Sequence, residues 1–158
     1  MNQTIFNSFV NTAHRLNKDF HITPLLYGSL GLEILTGIEF SPEDIDVLIP
    51  EVFLTSQWDE FKEKMESYGY QLINLEEHEF VKVNYRIAFA SFEELREFAG
   101  IDLEAIEIVN HEGTCYKLLN LEQYLKVYKR SSMDGYRKTK KNDKDTNKIH
   151  LIETLLKK

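Results

Sequence analysis

The order of apolar and polar positions predicts helices and strands that alternate through the first third of the chain. Apolar residues over 4–18 recur at helical spacing, which predicts an amphipathic helix. The apolar run over 22–27 then predicts a strand, residues 30–35 a short helix, and residues 44–49 a second strand.

The remaining pattern predicts a third helix, several short strands and a helical C-terminus. Ser56 is the predicted N-cap of the third helix, with Asp59 as its capping-box partner and Gly69 at its end. Ser91 and Glu94 form a second capping box before another helix. The other predicted elements are strands within 70–90, a hairpin within 105–118 that turns at 110–113, a helix capped by Asn120, and a last helix over 144–156.

Together these elements predict an α+β fold. We expect a small mixed β-sheet with helices packed mainly on one face, because strands and helices alternate early and a hairpin follows. A length of 158 residues favours one domain over 1–158. Within it we expect an α/β core over 1–118 and basic C-terminal helices over 119–158.

Two carboxylates, Asp44 and Asp46, stand two positions apart on the second predicted strand. Side chains alternate across a strand, so both carboxylates point to one face while Ile45 and Val47 point to the other. Like charges this close repel, and a divalent cation with oxygen ligands would offset the repulsion. The pair therefore predicts a Mg²⁺ site, although Asp44 alone is also typical of a turn or capping residue.

The dipeptide Gly28–Ser29 lies where the first predicted strand turns into a helix. Glycine lets the backbone turn sharply and lets a ligand approach closely. The free N–H groups at a helix N-terminus, together with the Ser29 hydroxyl, form a site suited to phosphates. The alternative is a plain turn in which Ser29 serves only as the N-cap.

Composition narrows the class of protein. Hydrophobic residues make up 42% of the chain and charged residues 28%, which is typical of soluble globular proteins. No apolar run reaches the ~20 residues that span a bilayer, and the N-terminus lacks a signal-peptide pattern. The single cysteine, Cys115, excludes an internal disulfide framework. We therefore predict a cytoplasmic protein that does not bind membranes.

Charge is divided unevenly along the chain. Residues 1–125 hold 8 Lys and Arg against 22 Asp and Glu, a net charge of −14, whereas residues 126–158 hold 11 against 4, a net charge of +7. The basic segment could complete the contacts to a triphosphate, or it could be an ordinary solvated surface. A total charge of −7 disfavours duplex nucleic acid as a partner.

The ordered combination of Gly28–Ser29 and Asp44-Ile45-Asp46, in a strand–helix–strand setting, resembles the nucleotidyltransferase superfamily, which includes the polymerase β-like enzymes. The resemblance covers the first half of the chain well. It implies Mg²⁺-dependent transfer of a nucleoside monophosphate from a nucleoside triphosphate to an unidentified hydroxyl acceptor. Asp44 and Asp46 would be the catalytic residues and the ligands of two Mg²⁺ ions, and Gly28 and Ser29 would bind phosphates.

The C-terminal part resembles the same superfamily more loosely. Small members carry a basic helix followed by a helix with a Lys-Asp pair, and the corresponding residues here are Lys129, Arg137, Lys144 and Asp145. The resemblance implies that Lys129 and Lys144 help to bind the nucleotide. Because the chain is too short for a large separate acceptor domain, a deep acceptor pocket would need a homodimer or a partner.

One residue that the resemblance implies is missing. Active members carry a third carboxylate on the strand that corresponds to residues 85–90, but no acid lies there. The positions that face the aspartate pair are Ala88 and Ala90, or Ile87 and Phe89 in the other register.

Three interpretations therefore stay open. The first is a nucleotidyltransferase, in which Glu79 or Glu93 is a candidate substitute for the missing acid. The second is a catalytically inactive module of the same fold that binds a nucleotide or a partner protein, of a regulatory or toxin–antitoxin type. The third is a generic α+β domain in which the motif is a coincidence. Retention of both aspartates favours a working site, since a decayed site has no reason to keep a repulsive pair.

Overall fold

A seven-stranded mixed sheet lies at the centre of the described part of the chain. The structure is a computed structural model that describes residues 3–133 and 142–157, with side chains over 4–131 and 147–157. Its strands are β1 (Leu25–Tyr27), β2 (Asp44–Ile49), β3 (Gln71–Asn74), β4 (Glu79–Lys82), β5 (Tyr85–Ser91), β6 (Glu107–His111) and β7 (Thr114–Leu118). Its α-helices are α1 (Gln3–Phe20), α2 (Gly28–Thr36), α3 (Trp58–Ser67), α4 (Phe92–Ala99), α5 (Leu121–Met133) and α6 (Asn142–Leu156). None of these helices is long and apolar enough to cross a membrane.

The strand order is β3-β4-β5-β2-β1-β7-β6. β2 runs antiparallel to β1 and parallel to β5, and β1 runs parallel to β7. The outer pairs β3–β4, β4–β5 and β6–β7 are antiparallel. The strand that carries the two aspartates is therefore central, and the strand on each side of it can place residues next to them on the same face.

Two hydrophobic clusters cover the two faces of the sheet. Ile45, Val47 and Ile49 of β2 belong to the first cluster, together with residues of α1 and α3. Leu48 belongs to the second cluster, together with residues of α4, α5 and α6. This division follows from the alternation of side chains along β2. The predicted α+β fold, with a mixed sheet and a helical C-terminus, is confirmed, and helices contribute to the core on both faces.

Two of the predicted helix caps are confirmed. Ser91 Oγ accepts a hydrogen bond of 3.1 Å from the Glu94 backbone N–H, so Ser91 is the N-cap of α4 as predicted. Asn120 and Gln123 cap α5 reciprocally, since each side-chain oxygen accepts from the other residue's backbone N–H, at 2.8 and 2.9 Å. These caps rest on contacts three residues apart, which a sequence pattern can predict.

The predicted N-cap at Ser56 is wrong. Helix α3 begins at Trp58 after Gln57, and no side chain caps it. A 3₁₀ turn precedes it at Glu51–Leu54, and backbone bonds from Gln57 to Val52 and from Trp58 to Thr55 continue that turn into the helix. Because this chain of turns already uses the backbone groups at the helix start, Ser56 is not needed as a cap.

Candidate active site

The turn from β1 into α2 brings Gly28 against Asp46. Gly28 begins α2 directly after Tyr27 and has a φ of +66°. A Cβ atom on residue 28 would lie 2.5 Å from Asp46 Oδ2. Glycine is therefore required for two reasons: other residues rarely adopt this backbone conformation, and the carboxylate occupies the space that a side chain would fill.

Asp44 and Asp46 lie on one face of β2. Asp44 is exposed and Asp46 is partly buried, whereas Ile45 between them is fully buried. Asp46 pairs with Tyr27 of β1 on one side and with Ala88 of β5 on the other. The Asp46 carboxylate thus lies at the junction of β1, α2 and β2.

A cavity of about 460 Å³ opens beside this junction. Gly28, Ser29, Asp44 and Asp46 all line it, together with residues of the loop before β2 and of helices α5 and α6. Small-molecule sites commonly have volumes of roughly 300–1,000 Å³. The cavity therefore joins the Gly-Ser turn and the aspartate pair in one space that is large enough for a small ligand.

Lys148 of α6 reaches into the same cavity. Its side chain is only 9% exposed, and its Nζ donates a hydrogen bond of 2.9 Å to Ser29 Oγ. The ammonium also lies 5.1 Å from the centre of the Tyr128 ring and 5.8 Å from that of Phe40, where cation–π attraction offsets part of its lost hydration. The structure thus adds a buried positive charge to the phosphate site that the sequence predicts at Ser29.

Sequence reasoning included Lys148 only as one of the basic residues over 126–148 and singled out Lys144, one helical turn earlier. A usable signal was present. Ile152 is fully buried in the second cluster, and residue 148 lies four positions before it, on the same face of the helix. The spacing from Ile152 therefore places Lys148 towards the protein interior.

Tyr124 of α5 supports the Gly28 turn through a hydrogen bond. It is fully buried, and its hydroxyl donates a hydrogen bond of 3.2 Å to the Gly28 carbonyl oxygen. Burial is the main reason why the pKa of Tyr124 is raised well above its usual value, with smaller contributions from Tyr128, Tyr27 and Asp46. The hydroxyl therefore keeps its proton and stays a donor. Gly31 leaves room for it, because a Cβ at position 31 would overlap the Tyr124 oxygen.

We expect Tyr124→Phe to lower the free energy of unfolding by about 1 kcal/mol, because it removes one buried hydrogen bond at nearly constant volume. Urea unfolding of the two proteins measures this difference. An unchanged midpoint would show that the hydrogen bond to the Gly28 carbonyl contributes nothing to the stability of the turn.

The loop between α2 and β2 forms another wall of the cavity. Glu33 of α2 is fully buried, and its Oε1 accepts a hydrogen bond of 3.0 Å from the Phe40 backbone N–H. The Glu33 carbonyl also accepts from the Gly37 N–H at the helix end. Helix α2 thus holds both the Gly28–Ser29 turn at its start and, through Glu33, the loop that places Phe40 beside Lys148.

Strand β5 contributes no carboxylate to the face of the aspartate pair. Arg86 pairs with Asp44 and Ala88 pairs with Asp46, and Arg86 is exposed. Glu79 of β4 pairs with Ala88, so it lies on the same face as Asp46 but two strands away. Glu93 of α4 accepts instead from the Glu51 backbone N–H at 3.2 Å. Of the two predicted substitutes, only Glu79 is placed towards the site by the strand register.

The carboxylates of Asp44 and Asp46 suit a cation whose remaining ligands come from a substrate. Among the side chains described over 4–131 and 147–157, no group of three or more His, Cys, Asp or Glu residues is placed to hold a metal ion. Asp44 and Asp46 thus provide two carboxylates on one face. Mg²⁺ is commonly held by one or two carboxylates plus substrate phosphates, so the residues present fit Mg²⁺ when it arrives with a nucleotide.

Of the C-terminal residues that the resemblance singles out, one lies away from the cavity and the others have no described side chain. Lys129 is exposed, forms an ion pair of 3.7 Å with Glu153, and does not line the cavity. Arg137 lies outside the described residues, and Lys144 and Asp145 lie in α6 with side chains outside them. Their roles in nucleotide binding stay predictions.

Comparisons with known proteins identify a relative and a structural neighbour. The chain is 49% identical over 152 residues to the uncharacterized protein YnaI of Bacillus subtilis (strain 168), and the match covers 96% of this chain and 97% of YnaI. No protein-family model matches the chain. The crystal structure of an antigenic nucleotidyltransferase-like protein from Paracoccidioides brasiliensis is similar, with a TM-score of 0.63, 17% sequence identity, and coverage of 96% of this chain and 76% of that one. The chain therefore belongs to the same family as YnaI and has a nucleotidyltransferase-like fold.

Proposed function

We propose that the protein is a Mg²⁺-dependent nucleotidyltransferase that moves a nucleoside monophosphate from a nucleoside triphosphate to a hydroxyl acceptor. The observation that carries this proposal is the cavity of about 460 Å³, in which a Gly-Ser turn, two carboxylates and a buried lysine meet. These are the groups that phosphoryl transfer needs, because its catalysis consists mainly of positioning and of charge stabilisation.

The triphosphate would bind between α2 and α6. The first N–H groups of α2 have no intrahelical partners and form a site for anions at the positive end of the helix dipole. Ser29 and the Lys148 ammonium are already joined by a hydrogen bond of 2.9 Å, so a phosphate oxygen at this position would meet both groups. Lys148 would then stabilise the negative charge that develops on the pyrophosphate leaving group.

Asp44 and Asp46 would hold the metal. When bound, Mg²⁺ would neutralise the phosphates and stabilise the entering and leaving oxygens of the in-line displacement. Asp46 has little freedom to move, since it lies on a central strand and directly against Gly28. Asp44 at the exposed start of β2 would face the acceptor side, where Arg86 is its neighbour on β5.

We expect Lys148→Gln to weaken nucleoside triphosphate binding by about tenfold or more, because a charge-assisted hydrogen bond contributes roughly 1.5–3 kcal/mol. Isothermal titration with Mg²⁺ and a non-hydrolysable triphosphate measures the change. Lys126→Gln is the matched control, since it removes the same charge from an exposed side chain of α5 outside the cavity. Equal losses in the two variants would argue for general charge attraction rather than for a contact made by Lys148.

A second candidate function is a nucleotide-binding module that performs no chemistry, of a regulatory or toxin–antitoxin type. Two residues of β5 favour it, because Arg86 and Ala88 lie beside the aspartate pair where the resemblance implies a third carboxylate. In such a module the same cavity would bind the nucleotide, and the bound state would be recognised by a partner protein.

A measurement of pyrophosphate release distinguishes the transferase from the binding module. The protein would be incubated with each of the four nucleoside triphosphates, Mg²⁺ and representative acceptors: small alcohols, proteins with exposed hydroxyls, and an RNA oligonucleotide. The transferase function predicts release that needs both Mg²⁺ and one acceptor class and that Asp46→Asn abolishes. Tight Mg²⁺-dependent binding without release on any acceptor class would favour the binding module.

A further inference from the structure

A second cavity lies between α1 and the turn that joins β4 to β5, and its volume is about 650 Å³. Tyr85 lines it and alternates along β5 with Arg86, which pairs with Asp44, so the second cavity lies on the opposite face of the sheet from the aspartate pair. Neither the proposed transfer reaction nor the first cavity uses any of the residues that line it.

Two cations that line this cavity, Lys82 and Arg15, both contact Tyr68. Lys82 Nζ donates a hydrogen bond of 2.8 Å to the Tyr68 carbonyl oxygen, and it lies 5.5 Å from the centre of the Tyr70 ring. The guanidinium of Arg15 lies 5.0 Å from the centre of the Tyr68 ring. Gly69 allows the Lys82 side chain to lie close, since a Cβ at position 69 would be 3.2 Å from Lys82 Cε.

No acidic side chain is among the described residues that line this cavity. This is unusual for a region, residues 1–125, whose net charge is −14. The carboxylate bonded to Tyr68 is Asp19, which accepts from the phenol hydroxyl at 2.5 Å and does not line the cavity. Arg15 at the Tyr68 ring and Lys82 at the Tyr68 carbonyl oxygen give the cavity two positive charges, which would attract an anion that enters it.

The rest of the lining is suited to an anion with an organic part. One polar stripe of α1, including Asn7 and Asn11, supplies side-chain amides one helical turn apart. At the opposite rim Val83 is 82% exposed and has a φ of +56°, a conformation that is rare for a β-branched residue. Val83 directly follows Lys82 and lines the same cavity, so its exposed apolar surface lies at the cavity rim.

We propose that this cavity binds a small phosphorylated molecule. Arg15 and Lys82 bind the phosphate, because two full positive charges match a dianion better than a monoanion. Asn7 and Asn11 contact polar groups of the organic part, and Val83 contacts its apolar surface. This site is independent of Mg²⁺, since its cations come from the chain itself.

The test is thermal unfolding in EDTA with two matched pairs of probes: ribose 5-phosphate against ribose, and glycerol 3-phosphate against glycerol. We expect at least one phosphorylated probe to raise the midpoint while its neutral counterpart does not. Lys82→Gln and Arg15→Gln should each weaken that binding by about tenfold. Lys18→Gln is the matched control, since Lys18 is an exposed cation on α1 that does not line the cavity.

Both cavity variants are tested because Lys82 packs against Gly69, so that its replacement could disturb the fold. The Arg15 side chain is exposed, so Arg15→Gln should fold normally. Asp46→Asn should leave the effect of the phosphorylated probe unchanged. The proposal is overturned if no phosphorylated probe shifts the midpoint at millimolar concentration. It is also overturned if the shift persists in both cavity variants, or if Asp46→Asn removes it, since the probe would then bind elsewhere.

Discussion

Gly28→Ala is expected to abolish Mg²⁺-dependent nucleotide binding and to lower the free energy of unfolding by about 1–3 kcal/mol. The loss of stability follows from the φ of +66°, a conformation that costs energy for any residue with a Cβ. The loss of binding follows from the new Cβ, which would lie 2.5 Å from Asp46 Oδ2 and must push that carboxylate away from the turn. Urea unfolding and isothermal titration measure the two effects.

Gly100→Ala is the matched control for this experiment. Gly100 also has a φ of +66°, but nothing lies within 4 Å of the Cβ that alanine would add there. Both variants should therefore lose similar backbone stability, whereas only Gly28→Ala should lose nucleotide binding. Normal binding by Gly28→Ala would show that the contact between Gly28 and Asp46 is not part of a ligand site.

Asp46→Asn is expected to abolish Mg²⁺-dependent nucleotide binding while leaving the free energy of unfolding unchanged within about 0.5 kcal/mol, or slightly increased. Asparagine has nearly the same shape, so the contact with Gly28 stays intact. The substitution removes one of two neighbouring negative charges, which relieves their repulsion in the absence of a cation. The readouts are titration with a non-hydrolysable triphosphate and thermal unfolding without ligand.

Glu43→Gln is the control for the change of charge. Glu43 is an exposed residue directly before β2 that also lines the cavity, so the variant loses the same charge without altering the aspartate pair. It should bind the nucleotide nearly as well as the unaltered protein. A marked loss of stability in Asp46→Asn would indicate a structural role for Asp46 and would contradict its assignment as a metal ligand.

The features that could be predicted from the sequence depend on short-range patterns. The alternation of Asp44 and Asp46 with buried neighbours follows from the period of two along a strand, and β2 follows that pattern. The Gly28 turn follows from the change of periodicity between β1 and α2. The capping contact of Ser91 spans only three residues.

The features that could not be predicted depend on long-range packing. Tyr124 contacts a residue 96 positions away and Lys148 one that is 119 positions away. An apolar stripe on a helix predicts that one face is buried, but it does not predict which element that face meets. The strand order is a further example, because it places Arg86 beside Asp44 although the residues between them form a helix and two other strands.

Thermal unfolding with each of ATP, GTP, CTP and UTP, with and without Mg²⁺, tests the proposed site most directly. A ligand that binds only the native state at about 100 times its dissociation constant adds roughly 2.7 kcal/mol, which is several degrees for a domain of this size. We predict a shift that needs both nucleotide and Mg²⁺, with none for Mg²⁺ alone, because the described residues offer the metal only two carboxylates. The absence of a shift with all four nucleotides, or a shift that is equal without Mg²⁺, would contradict a Mg²⁺–nucleotide site at Asp44 and Asp46.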